Sequence, residues 1–120
     1  GTIKRMRYGI MYEQGEIVIV PFPFSDLRSV KKRPVLVLSK KEDNMVSDDI
    51  ITCGITSNIK ESKYSVLIEN KNLDRGQIPM KSRIKVNKLF TLDKRIVEKS
   101  VGKINKETFI RVKKEFLNLL

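Results

Sequence analysis

Apolar residues cluster along this chain in short runs separated by charged stretches, a spacing that predicts strands more readily than helices. Val35-Leu36-Val37-Leu38 is four apolar residues in succession, too short for a lone helix, and reads as a strand buried on both faces. Upstream, 16–20 alternates charge with β-branched residues and forms a first strand, stopped by Pro21 and Pro23. Downstream, 49–57 predicts a third strand with Thr52, Gly54 and Thr56 on one face and Ile51, Cys53 and Ile55 on the other. Gly54 in its middle signals a bulge or a close backbone approach. A short strand follows at 64–69, and 70–76 has the Asn, Asp and Gly chemistry of a turn.

The segment 81–87 alternates sharply: Lys81, Arg83, Lys85 and Asn87 share one face of a strand, and Ser82, Ile84 and Val86 the other. Like charges along one face repel unless an anion lies against them. The face is therefore either a solvated, lysine-blunted edge or a phosphate contact. Near the C-terminus the period changes. Phe109, Val112, Phe116, Leu119 and Leu120 recur every three or four residues behind Asn105, a good N-cap, and predict a helix that packs on the sheet. Its other face carries Lys106, Arg111, Lys113 and Lys114.

The connections are polar. Residues 27–32 form a basic link ending at Arg33-Pro34, which opens the second strand; 40–48 and 58–63 read as loops. Phe22 and Phe24 alternate with prolines in an extended lead-in, where they either anchor the loop in the core or stack on a base. Taken together, the elements give an α+β, mainly β domain: a small, mainly antiparallel β-barrel or curled sheet with a C-terminal helix, the short strands favouring the barrel. Residues 1–12 read as an N-terminal tail or extension and 13–120 as one domain, with Gly1 pointing to a start derived from processing or cloning.

Composition narrows the chemistry. The 120 residues carry 25 Lys and Arg against 14 Asp and Glu, a net charge of +11. Such an imbalance favours a polyanionic partner: nucleic acid first, an acidic protein second, a membrane surface third. No secretory signal or membrane-length apolar run is evident, so an intracellular protein is expected. Histidine is absent, which excludes Ser-His and Cys-His triads and His-ligated zinc. The single cysteine, Cys53, reads as a small buried hydrophobe. Acidic residues are too scattered to commit two carboxylates to one hydrolytic site, and no metal or cofactor is expected.

Arg, Lys, Thr, Ser and Asn near phosphate remain, and RNA makes such a set sufficient. Its own 2′-OH is the nucleophile, so a protein need only orient it, stabilise the pentacoordinate phosphate and help the leaving oxygen depart. An arginine fork matches that charge geometrically.

Pro21-Phe22-Pro23-Phe24-Ser25-Asp26, Arg33-Pro34, Ile55-Thr56-Ser57 and Thr91-Leu92-Asp93, in that order and spacing, resemble the MazF/PemK family of toxins from type II toxin–antitoxin pairs. The resemblance runs from about residue 15 to the C-terminus. It implies an SH3-like barrel of the CcdB/PemK type, acting as a homodimer in the cytoplasm. The implied activity is metal-independent, sequence-specific endoribonuclease cleavage of single-stranded RNA to 2′,3′-cyclic phosphate and 5′-OH ends, with a cognate acidic antitoxin as protein partner and no membrane.

By the same resemblance Arg33 and Thr56 are catalytic; the candidate RNA contacts are Phe24, Lys31, Lys32, Ser57, Arg83, Lys85 and Asn87. Ahead of Thr91-Leu92-Asp93, family members often carry an acidic residue followed by Gln, or an Arg-x-Asp pair serving as acid and base. Lys85, Asn87 and Lys88 stand there instead. Asn87 cannot act as a base, and the group that takes the 2′-OH proton is left unassigned. Gyrase poisoning by a non-catalytic toxin of the same barrel, or plain nucleic-acid binding, is the alternative.

Overall fold

A computed structural model describes residues 11–23 and 30–120. Seven strands form one antiparallel sheet: β1 (Glu16–Pro23), β2 (Val30–Val37), β3 (Asp49–Thr56), β4 (Ser65–Ile68), β5 (Leu73–Gly76), β6 (Ser82–Asp93) and β7 (Lys99–Ile104). Their order across the sheet is β4-β6-β3-β2-β1-β7-β5, and the sheet curls into a half-barrel. Helix α1 (Lys41–Val46) bridges β2 and β3, and α2 (Lys106–Leu119) closes the chain against β4 and β6. The mainly β, α+β architecture expected from the hydrophobic pattern is the one observed.

The centre of the sheet is buried on both faces. Leu36 joins Ile17, Cys53, Ile55, Ile84 and Ile104 in the main core, which α2 covers with Val112, Phe109 and Phe116. Val35 and Val37, pointing the other way, join Tyr12, Val18, Val20 and Ile50 in a second core. Fully burying each such aliphatic side chain contributes about 1.5–3 kcal/mol, so the two clusters, more than strand propensity, fix the register. Burial also pushes the Cys53 thiol up to about 12, far from a nucleophilic thiolate.

Several boundaries differ from the sequence reading. The prolines do not stop β1, which runs to Pro23. Beyond Ile19 only β2 pairs with β1. Ile19 directs its carbonyl toward the Glu98 amide on the β7 side. Pro21 and Pro23 share its parity, so their missing N–H groups fall where no strand needs a donor. β2 likewise starts at Val30, which puts Lys31 and Lys32 in a strand rather than a connection.

Within 40–48, Lys41–Val46 is helical, not loop, because Asn44 turns inward as a hub. Its Nδ2 donates to the Tyr12 and Ser39 carbonyls at 2.8 and 3.0 Å, and its Oδ1 accepts from Ser39 Oγ at 2.6 Å. Lys94 Nζ donates to the Asn44 carbonyl at 2.7 Å. The C-terminal helix follows expectation, with Asn105 Oδ1 accepting from the Thr108 amide at 2.8 Å, except that Leu120 lies past its end and is exposed.

β3 presents the two faces expected of it, but Ile51 is exposed and Thr52 is buried, its hydroxyl donating to the Phe90 carbonyl at 2.9 Å. The register shift signalled by Gly54 falls beside it. Cys53 pairs with Leu89 and Gly54 with Lys85, so Val86, Asn87 and Lys88 bulge from β6. β6 itself runs six residues past the expected end and is flanked by β3 and β4, so its basic face is not a blunted edge. Within 70–76, a 3-10 turn (Asn70–Asn72) leads into β5. Among the described residues no helix is long and apolar enough to cross a membrane.

Candidate active site

The β2–β3 ladder ends at Val35 opposite Gly54. Two residues further along each strand stand Arg33 and Thr56, where the strands splay. A groove of about 700 Å³ opens at this end, lined by both of them. Lys85 enters from β6 next to Gly54, and Lys88 from the bulge. Phe22 and Phe90 form one wall, their ring centroids 5.0 Å apart and tilted by 57°. Phe22 also packs on the second core, as the anchoring alternative requires.

The opposite wall is the loop 58–63, and it is pinned along its length. Thr56 Oγ1 accepts from the Asn58 amide and Asn58 Oδ1 from the Lys60 amide, both at 3.1 Å. Arg83 clamps the Ile59 carbonyl through Nε and Nη2 at 3.2 and 3.1 Å, and donates from Nη1 to Ser65 Oγ at 3.1 Å. Lys85 Nζ donates to Ser62 Oγ at 2.6 Å. Asn58, Lys60, Glu61 and Ser62 consequently face the groove from a held backbone.

A second cavity of about 300 Å³ shares Arg33, Pro34, Ile55 and Thr56 with the first and extends along Lys31, Lys32 and Ser57 toward Met80. Lys32 also pairs with Glu98 at 3.3 Å, an exposed contact of little energetic weight. The sequence-expected residues thus divide. Arg33, Thr56 and Lys85 meet at the main groove, and Lys31, Lys32 and Ser57 line its neighbour. Arg83 is committed to the loop clamp, and Asn87 is exposed in the bulge, outside the residues that line either cavity. Phe24, Ser25 and Asp26 lie outside the described residues, as does 1–10 of the expected tail.

The sequence reading left out Lys60, Glu61 and Ser62, which look like any polar connection until the clamp is seen. In Thr91-Leu92-Asp93, part of the family-like pattern, the last residue is a cap. Asp93 accepts from the Arg95 amide at 2.8 Å and from its guanidinium Nη2 at 2.7 Å, capping the 3-10 turn Lys94–Ile96. Among the described residues no three His, Cys, Asp or Glu side chains group as metal ligands. The groove offers cations, hydroxyls, an amide and one carboxylate: a place to bind and polarise a phosphodiester.

The fold recurs in solved toxin structures. A mycobacterial endoribonuclease in complex with its cognate antitoxin superposes with a TM-score of 0.74 at 13% identity, over 89% of this chain and 92% of that one. MazF from a Deinococcus radiodurans MazE–MazF complex gives 0.72 at 20% identity, over 91% and 95%. The Mycobacterium tuberculosis toxin MazF-mt6 gives 0.67 at 16% identity, over 86% and 93%. At these identities the likeness concerns the fold. No curated protein sequence matches the chain. A family model does match, across residues 13–120, and by it the chain belongs to the PemK-like, MazF-like toxins of type II toxin–antitoxin systems.

Proposed function

We propose that this toxin is a metal-independent, sequence-specific endoribonuclease that cleaves single-stranded RNA to 2′,3′-cyclic phosphate and 5′-OH ends. The observation that carries the reading is the convergence of Arg33 and Thr56 at the open end of one strand pair, in a groove that also takes Lys60, Lys85 and Lys88. Arg33 stabilises charge on the pentacoordinate phosphate and serves proton transfer to the leaving oxygen. Thr56 positions the phosphate or the 2′-OH. Lys85 and Lys88 bring positive charge to the backbone on either side, and Lys31, Lys32 and Ser57 extend the path of the strand along the second cavity. Unstacked bases find an aromatic face at Phe22 and Phe90.

The same reading gives the protein a cytoplasmic site of action, a homodimeric state and a cognate acidic antitoxin. The antitoxin follows from the family and from charge: a net +11 leaves this basic groove complementary to an acidic, groove-filling segment. In the relatives, a cognate antitoxin is present in the mycobacterial complex, and MazE in the Deinococcus one.

The deciding experiment incubates purified protein with a long single-stranded RNA in excess EDTA, sequences the cut ends and assays cyclic phosphate. Cuts at a recurring short site with 5′-OH ends are expected. Intact RNA alongside folded protein overturns the nuclease reading in favour of a toxin that binds a protein target.

A further inference from the structure

Resting on that ribonuclease reading, we propose that Glu61 is the general base that takes the proton from the attacking 2′-OH, and that Arg83 and Lys85 are the residues that position it. The reaction requires a proton acceptor, and the chain has no histidine. Lys85 and Asn87 stand where an acidic residue is expected by family resemblance. Among the described residues lining the main groove, Glu61 is the one carboxylate. The remaining polar side chains there are Arg33, three lysines, Thr56, Ser62 and Asn58. A guanidinium or ammonium group donates and does not accept, and a hydroxyl or amide is a feeble base.

Position strengthens the assignment. Glu61 is exposed and sits between two tethered points, the Ile59 carbonyl under Arg83 and the Ser62 hydroxyl under Lys85. The chain leading to it from Thr56 passes through two local turns, each closed by a side-chain oxygen accepting a backbone amide. A loop held this way fixes the backbone that carries Glu61 relative to Thr56 and leaves the carboxylate exposed. RNA therefore reaches it from solvent, in a groove that Lys60, Lys85 and Lys88 also line.

In the proposed step the 2′-oxygen forms a bond to phosphorus as its proton passes to the Glu61 carboxylate. The P–O5′ bond breaks, and the 5′-oxygen leaves with that electron pair and takes a proton from Arg33. The products are the 2′,3′-cyclic phosphate and a 5′-OH; water returns the proton from Glu61 to Arg33, leaving the protein unchanged. No oxidant, metal or second substrate enters the balance.

The test compares wild type, Glu61→Gln and Glu61→Asp in EDTA on a short RNA containing the mapped site. It measures kcat across pH, and the Kd for the same oligonucleotide carrying a single 2′-deoxy substitution at the cut. Glu61→Gln is expected to lower kcat about a hundredfold or more, the usual share of a general base. Its Kd stays the same or tightens, because a negative charge has left the groove. Wild type loses rate in acid as the base is protonated; Glu61→Gln lacks that limb, and Glu61→Asp keeps it at reduced rate. Wild-type kcat in Glu61→Gln, or a rate loss matched by an equal loss of binding, overturns the assignment. Wild type that leaves RNA intact overturns the ribonuclease reading and Glu61's role with it.

Discussion

Arg33 and Thr56 stand two residues beyond Val35 and Gly54, the last pair of the β2–β3 ladder, and line the same two cavities. Their alignment is set by the register of a strand pair whose inner ends lie in two hydrophobic cores. Neither side chain belongs to those cores, so truncating it leaves both of them intact. Arg33→Ala is expected to lower cleavage by at least a hundredfold, the scale for losing a charged group from a transition state, while the thermal midpoint moves by no more than a few degrees. Thr56→Ala lowers it less, and Thr56→Ser recovers part of the loss. The double variant Arg33→Ala/Thr56→Ala should be scarcely worse than Arg33→Ala alone, since groups that act on one phosphate are not additive. Cleavage assays beside thermal melts check this; an active Arg33→Ala removes the central assignment.

Arg83 separates two roles that charge alone confuses. As an RNA contact, its loss weakens binding and lowers the salt dependence of Kd by about one counterion. As the clamp on the Ile59 carbonyl, its loss frees the loop 58–63. We expect the second outcome from Arg83→Ala: kcat lower by roughly tenfold, an unchanged salt slope, and faster hydrogen exchange of the loop amides. Arg83→Lys restores little, because an ammonium cannot span Ile59 and Ser65 with a planar fork.

What the sequence revealed and what it hid divides along physical lines. Val35, Leu36 and Val37 announced a doubly buried strand because both faces needed apolar side chains, and the result is one residue in the first core and two in the second. The period of Phe109, Val112 and Phe116 announced α2 for the same reason. Helix α1 stayed hidden because it buries only a polar residue, Asn44, whose partners are backbone carbonyls distant in sequence. β7 stayed hidden because Lys99 and Ser100 are exposed and Gly102 supplies no side chain to the pattern. At the site, Arg33 and Thr56 were legible from residue order. The role of 58–63 was not, since it rests on a side chain 24 residues away reaching a carbonyl. Such a contact leaves no periodic trace.

Asn44 joins Tyr12, Ser39 and, through its own carbonyl, Lys94, while the Ser39 hydroxyl accepts from the Ile51 amide at 2.9 Å. Removing the buried side chain strands the Tyr12 carbonyl away from water and takes one partner from the half-buried Ser39 hydroxyl. Asn44→Ala is expected to destabilise the fold by about 2–3 kcal/mol, the scale of leaving buried polar groups unpaired. Urea unfolding monitored by circular dichroism measures it. Asn44→Asp should be at least as harmful, because it loses both donors and adds a charge at a site that is almost fully buried.

Acid should unfold this protein partly through Asp93. The Arg95 guanidinium, hydrogen-bonded to its carboxylate, and the Arg95 amide hold the carboxyl down from an ordinary 3.8 to about 2. The folded state therefore keeps this group charged at a pH where the unfolded chain has already taken up a proton. A depressed folded value means the contribution is fully present above the unfolded value and is lost as pH falls through the folded one, between about pH 4 and pH 2. Asp93→Asn keeps an oxygen to accept the Arg95 amide but cannot titrate. Between pH 7 and pH 2 the thermal midpoint of wild type should fall further than that of Asp93→Asn, with the difference opening below about pH 4. Raising the salt should shrink the gap at neutral pH, since the pair is solvent-exposed. Parallel melting curves across that range would mean that the 3-10 turn is held by the cap hydrogen bond alone and that the Asp93 charge contributes nothing to stability.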